Sequence, residues 1–552
     1  MPPCRPALLA MLVAACVAAR SSVALEWTAI ARTGDPAIGL PGDPAITSLG
    51  VFERIGDAGE VVYGATTGPH LVIKPPIGGL YRWTDPATTL LVGYGDPSFD
   101  IEIPIRLAVN RLGDWVIADW PSEPAPGCDP GTSAAHAEKV VRSDAMGAPE
   151  TLVEMGMPVP GAPDGLLYAG IARWASGPVG TRVPSSSPSL NLADSGALAF
   201  GAELAADPCS EDGRETILAV PPGGGLTLVA LAGEPAPGLP DGFVLEELGL
   251  SPAALDDAGQ VAFSATARSD TEVASAVYRW DPGSGVELVA MIQPPVLDSP
   301  RKYLPVELPA IAATGSIAWF GGTELFGPDG SGGTQEIFAV GDPVPGGPDG
   351  ATFAEQSLGR IVPRRPWING SDQVAFTADM TRLGDGDLPE PLGAAVFRAD
   401  AGGPLELLVK TGDVAPYGGG ATFGSPFTLL AFGDMGEVVF SNWLTSPDPN
   451  DPDPPDSAIY EIDAAGRLFP ILLTDDLVAL GAADSYGRTP ASASLGFDAA
   501  FSRVAMSPGS FQGPDGVFVA TIPEPDTHAT ATAALLALAA ASLRTRRRPS
   551  RA

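Results

Sequence analysis

Residues 255–265 read LDDAGQVAFSA: an acidic lead-in, Gly259, and an apolar run that holds the aromatic Phe263. The same phrase returns as IGDAGEVVYGA (55–65), VNRLGDWVIAD (109–119), LADSGALAFGA (192–202), IAATGSIAWFG (311–321), INGSDQVAFTA (368–378) and FGDMGEVVFSN (432–442), with a worn copy, DAAFSRVAMS, at 498–507. A unit that recurs in this way and cannot close its own core must stack on its neighbours, so repetition settles the architecture before any local signal is weighed. The phrase glycines lie 54, 83, 63, 56, 57 and 64 residues apart, with Asp372 standing in for one of them. That cadence implies a basal unit of about 55 to 65 residues with loop insertions in some copies.

Two companion phrases keep the same order. One is a glycine and an acid, usually followed by prolines: TGDPAIGLPGD at Gly34, YGDPSF at Gly95, MGMPVPGAPDG at Gly156, AGEPAPGLPDG at Gly233, VGDPVPGGPDG at Gly341 and TGDVAPYGGG at Gly412. The other is apolar: GLYRW at Tyr81, KVVRS at Val141, AVYRW at Tyr278, AVFRA at Phe397, AIYEI at Tyr460 and GVFVA at Phe518. Runs of Val, Ile, Ala and aromatics about five residues long, bounded by Gly, Pro and Asp, read as strands. In DAGQ and DAGE, a glycine at positive φ and an acid bonding local backbone make a tight hairpin turn. The prolines cannot donate to a ladder, which makes GDPVPGGPDG a connection at a sheet edge. One unit then holds four strands, for example 243–250, 261–265, 277–280 and 286–291.

Four short antiparallel strands per unit, in about eight units, favour an all-β β-propeller of four-stranded blades, each covered on both faces by its neighbours. Immunoglobulin-like sandwiches need about 100 residues and seven strands apiece, and the coils of a parallel β-helix are shorter than this repeat. Eight blades is the count, with seven as the alternative because the copies near Trp115 and Arg503 are degenerate. The segment LEWTAIARTGD at 25–35 reads as a last strand without its unit, and the final unit lacks a fourth strand. Residues 28–32 should therefore pair beside 517–521 and close the ring, removing edges that invite aggregation.

Glycine and proline make up 67 and 59 of the 552 residues, and hydrophobic residues 45%, a composition rich in turns with ample core. The formal charge is −35; residues 25–525 hold 24 basic and 65 acidic side chains, a net of −41. Such a surface repels nucleic acid and anionic lipid, and suits solubility or, alternatively, cations or a basic partner.

Both ends read as targeting segments. Residues 1–24 carry Arg5, an apolar stretch from Ala7 to Ala19, and SVA before Leu25, a signal peptide cleaved after Ala24. Val13-Ala14-Ala15-Cys16 offers a lipobox as the competing reading. At the other end, residues 522–552 hold Pro523, Glu524 and Pro525, an apolar stretch from Ala529 to Leu543, and Arg544, Arg546, Arg547 and Arg548. This order resembles the PEP-CTERM sorting signal of Gram-negative bacteria. The resemblance implies an exosortase-like sorting enzyme as partner, transient membrane contact through the C-terminal helix, and release or attachment at the outer surface. About 15 apolar residues is short for a spanning helix, and the arginines would hold the tail on the cytoplasmic side.

The body, 25–521, resembles a group of bacterial exported proteins with tandem NxxGxxAF-type repeats, through residues 256–263, 369–376 and the GDPVPGGPDG segments. The leading Asn is Gly56, Ala193 or Asp256 in several copies, and the group brings no activity to carry over. Candidate chemistry is sparse. His70 and His136 fall in loops of different units without a ligand cluster, and His528 lies in the tail. No serine sits in a nucleophile elbow and no glycine-rich loop cradles phosphate. No cofactor is implied; calcium is the one ligand worth weighing, at Asp448, Asp451, Asp453 and Asp456 or at Asp385 and Asp387, against solvated loops without EF-hand spacing. Cys128 and Cys209 follow their phrase glycines by 15 and 13 residues. In an oxidising compartment they form a disulfide between corresponding loops of adjacent blades.

The reading is an exported, surface-sorted, non-catalytic binding or structural module of the envelope or extracellular matrix, with polysaccharide or protein as ligand. A carbohydrate-active hydrolase or lyase on the same scaffold is the alternative. It would bring acidic residues and His together at the central channel.

Overall fold

The computed structural model describes residues 27–521 apart from 33, 56–60, 68–76, 85–86, 95–103, 120–127, 129–137, 144–148, 172–173, 177–181, 185–189, 210–211, 249–253, 293–306, 355–364, 385–388, 417–419, 447–456, 473–493, 498–502 and 508–515. Every phrase lands in its own antiparallel sheet, as the second strand of that sheet. Blade 1 comprises Ser48–Ile55, Val61–Thr67, Ile77–Thr84 and Ala87–Tyr94; blade 2 comprises Pro104–Val109, Trp115–Asp119, Lys139–Ser143 and Glu150–Glu154. In blade 3 the lead strand is split into Leu167–Ile171 and Leu190–Leu192, followed by Leu198–Ala205, Arg214–Val220 and Thr227–Leu231. Blade 4 is split likewise, Val244–Leu248 and Ala254–Leu255, before Val261–Arg268, Val273–Asp281 and Gly285–Ile292. Blade 5 is Glu307–Ile311, Ile317–Gly321, Glu324–Pro328 and Thr334–Ala339. Blade 6 has the divided lead Thr352–Phe353 and Trp367–Ile368, then Val374–Leu383, Pro389–Ala399 and Leu405–Lys410. Blade 7 is Thr422–Phe432, Val438–Thr445, Ser457–Ile462 and Leu468–Leu472. Blade 8 is Ser494–Phe497, Arg503–Ser507 and Gly516–Thr521, and its fourth strand is Trp27–Arg32 from the other end of the chain.

The protein is thus an eight-bladed propeller, and the degenerate copies near Trp115 and Arg503 form blades like the rest. The N-terminal strand closes the ring antiparallel, with Thr28 opposite Val519 and Arg32 opposite Gly516. Lead strands of successive blades are neighbours, which puts them at the channel and the fourth strands at the rim. Among the described residues, no helix is long and apolar enough to cross a membrane.

The apolar cores lie between blades. Along each phrase strand, side chains alternate between the two faces of the sheet. Phe263, four residues after Gly259, packs against Ile217 and Ala219 of blade 3, while Ala262 faces Trp319 of blade 5. Trp319 in turn faces blade 4 while Ala318 shares a core with Phe376 of blade 6. Ala375 then shares one with Phe440 of blade 7. In blades 1, 4 and 6 the backward aromatic stacks on the ring directly across the ladder, Tyr63 on Tyr81 at 5.6 Å, Phe263 on Tyr278 at 5.3 Å and Phe376 on Phe397 at 5.2 Å, whereas Phe200 of blade 3 lies opposite Leu218.

The buried Ala31 joins the core with Val61, Tyr63 and Tyr81, so ring closure is apolar as well as hydrogen-bonded. Deleting residues 25–33 should expose the Gly516–Thr521 edge, lower the melting temperature by 10 °C or more and raise light scattering on warming. A deletion variant that melts with the wild type and stays monodisperse would refute this account of closure.

Candidate functional site

The antiparallel order puts the phrase turns and the turns between third and fourth strands at one end of the ring. The proline phrases and the connections between second and third strands lie at the other. At the first end the turns clasp one another. Asn110 Oδ1 accepts the N–H groups of Leu112 and Asp114 at 3.0 and 2.9 Å, and Asn110 Nδ2 donates to the Ala193 carbonyl of the blade 3 turn at 3.0 Å. Asn369 repeats this, accepting from Ser371 and Gln373 and donating to the Gly433 carbonyl at 2.7 Å. The next residue in each turn adds a second contact. Arg111, Asp194 and Gly370 donate their N–H groups to Asp194, Asp257 and Asp434 of the following blade at 2.8, 2.9 and 2.9 Å. Arg279 and Arg398 supply a third, donating to the Gly315 and Gly436 carbonyls at 3.1 and 2.8 Å. Glu287 and Glu406 hold them across the ladder at 2.8 and 2.7 Å.

Gly259 shows why the phrase needs its glycine: φ is +82°, and a Cβ there would lie 2.7 Å from Pro222 of the preceding blade. Asp372 takes the same conformation, φ 61°, which Asp tolerates better than most residues. Its carboxylate also accepts the Thr314 hydroxyl from blade 5.

Asp256 stands where Asn110 and Asn369 stand. Its Oδ1 accepts the Gln260 N–H at 2.7 Å, but its buried Oδ2 has no hydrogen-bond partner, and burial raises its pKa. An acid with a raised folded pKa loses stability as pH rises from its unfolded pKa through its folded one. Asp256→Asn supplies an N–H and should gain about 1 kcal/mol at pH 7, a gain that vanishes near pH 3. Urea midpoints at the two pH values would measure it, and an equal gain at both, or none, would contradict the reading.

Glu461 occupies the position of Arg279 and Arg398 in blade 7, and burial, with Glu437 and Asp463 beside it, lifts its pKa to about 7. Its stabilising neutral form is fully present below about 4.5 and is lost as pH climbs through 7. Glu461→Gln should flatten the fall in melting temperature between pH 5 and 8, since each unit of displacement is about 1.4 kcal/mol. Parallel profiles for variant and wild type would dispose of this assignment.

At the second end, the proline phrases are short hairpins from a fourth strand to the next lead strand. Gly233 N–H bonds the Leu245 carbonyl and Leu245 N–H the Glu234 carbonyl; Gly341, Phe353 and Asp342 repeat the pattern. The structure joins Cys128 to Cys209 in a disulfide with Cα atoms 5.3 Å apart, tying connections of blades 2 and 3. The lead strands of blades 3, 4 and 6 break midway. Buried Glu138 accepts the Ile171 N–H at the blade 3 break at 2.7 Å, and Glu215 the Leu248 N–H at the blade 4 break at 3.0 Å. Gly170 makes room, since a Cβ there would meet Glu138 Oε2 at 2.6 Å. In blade 3 the break holds an added hairpin, Trp174–Ser176 with Arg182–Pro184.

The breaks therefore interrupt the innermost strands, which border the channel. The described residues at the return of the blade 6 excursion are Arg365, Pro366 and Trp367. Trp367 is 36% exposed, and half-buried Arg365 is enclosed enough that desolvation lowers its pKa to about 10.

The proposed calcium ligands Asp385, Asp387, Asp448, Asp451, Asp453 and Asp456, the three histidines, the signal peptide and the sorting residues Pro523, Glu524, Pro525, Arg546, Arg547 and Arg548 lie outside the described residues. Among the described residues, no group of three or more His, Cys, Asp or Glu is placed to hold a metal ion. The clasping Arg–Glu pairs have a sequence signal in the arginine of AVYRW and AVFRA, and PWI before the Asn369 turn marks the exposed tryptophan of the blade 6 lead strand.

No curated protein matches the sequence. The fold is similar to an oligogalacturonate lyase from Vibrio parahaemolyticus, at 8% identity over 91% of this chain and 95% of that one, TM-score 0.37. It is similar to a polysaccharide lyase at 10% identity over 91% and 100%, TM-score 0.38. An α-L-arabinanase from Penicillium chrysogenum matches at 13% identity over 67% and 99%, TM-score 0.28. A model for a family of unknown function matches residues 130–357, 192–467 and 322–529. These windows start 62 and then 130 residues apart, about one and two repeat units, as tandem repeats require. Together they cover most of the propeller, and the chain belongs to that family, DUF7453.

Proposed function

We propose that this is an exported, surface-sorted binding module of the envelope or extracellular matrix that takes a saccharide ligand at its central channel. One observation carries the reading. The phrase turns spend their polar groups on one another, whereas the lead strands that border the channel are interrupted in blades 3, 4 and 6. Binding sites gather on loops held by a rigid scaffold, and a propeller's channel is concave, which ligand burial requires. Export and sorting rest on the two terminal segments.

Full-length protein, matured by its host, should retain at least one polysaccharide from a panel of neutral and acidic soluble glycans, without releasing new reducing ends or unsaturated products. Turnover would replace this reading with the hydrolase or lyase. Failure to retain any glycan would remove saccharide as the ligand class.

A further inference from the structure

In blades 1 to 7 the position two residues before the phrase turn lies opposite the third residue after the phrase glycine. It is Arg54, Ala108, Asn191, Ala254, Ala310 and Ala431 in blades 1, 2, 3, 4, 5 and 7, and Trp367 in blade 6. Ala254 and Ala310 are buried, whereas the Trp367 indole remains more than a third exposed on the innermost strand. Arg365 precedes it by two residues. A residue before proline is held extended, and alternate residues of an extended chain share a side, so the Arg365 and Trp367 side chains leave the backbone on one side.

Among the described residues, Arg365 differs from eight arginines that pair with acids. Arg111, Arg142, Arg214, Arg268, Arg279, Arg382, Arg398 and Arg467 each hold a carboxylate. Arg365 forms no hydrogen bond or ion pair among the described residues, in a chain with 66 acidic and 31 basic side chains. An arginine, whose five N–H donors form a fork suited to a carboxylate, therefore leaves the strand on the same side as an exposed aromatic residue.

We infer that Arg365 and Trp367 form a subsite for a sugar acid, the guanidinium holding the carboxylate and the indole covering an apolar face of the pyranose ring. This rests on the channel reading above and names its ligand class. The net charge of −35 disfavours long polyanions, so the occupant is a single uronate unit, free or within an otherwise neutral glycan.

Calorimetric titration of the full chain with sodium D-glucuronate, set against D-glucose, tests it. Uronate should bind and glucose should not, with affinity reduced at least tenfold in Arg365→Gln and in Trp367→Ala and less in Arg365→Lys. Thermal melts should match wild type in all three variants. Unchanged uronate affinity in Arg365→Gln, or equal binding of glucose, overturns the subsite. If neutral glycans are retained with no preference for uronate, this inference alone falls. If no saccharide binds, the channel reading falls with it.

Discussion

Every blade is a sheet with two apolar faces and no core of its own, so the structure depends on how one face fits the next. The fit is a pairing of small with large. The alanine of the phrase points forward and the aromatic after it points back, so Ala199, Ala262, Ala318 and Ala375 share cores with Phe263, Trp319, Phe376 and Phe440 of the following blades. Burying one such ring is worth about 1.5 to 3 kcal/mol, and close packing makes either partner intolerant of a change in size. Blades 1 and 2 put valine in the forward position, Val62 and Val116, against Ile117 and Phe200.

Turn chemistry adds direction to this stacking. The asparagine, the backbone N–H of the residue after it and the third-strand arginine all reach from one blade to the turn of the next, forming a polar girdle at one end. Where the pattern lapses, local electrostatics change. Asp256 buries an oxygen that asparagine would turn into a donor. Glu461 puts a carboxylate among Glu437 and Asp463 where an arginine bridges elsewhere. Asp372 keeps the backbone conformation of glycine and gains a bond to Thr314.

Because that end is committed to holding the ring together, variation collects at the other end and along the channel. A strand at the inner edge of a blade pairs on one side only, so it can leave the sheet and return without breaking a ladder on its far side. The lead strands of blades 3, 4 and 6 are interrupted in this way, and in blade 6 the second half of the strand carries Trp367, two residues after Arg365.

The architecture was legible because its signals are local and repeated: period, turn glycine, strand length and the orphan strand at 25–35 each follow from backbone geometry in a short window. The pairing of Cys128 with Cys209 was readable for the same reason, as corresponding positions of adjacent units. What a residue touches across the gap between blades is not local. Nothing in LDDAGQVAFSA says that the Asp256 carboxylate lacks a donor, since that depends on the neighbouring blade. The sequence by itself determined a closed ring of like sheets, with eight favoured over seven, because one unit's apolar faces demand copies of themselves. Only the tertiary structure decided which polar groups that ring consumes and which it leaves facing the channel, because partners there are set by distance in space.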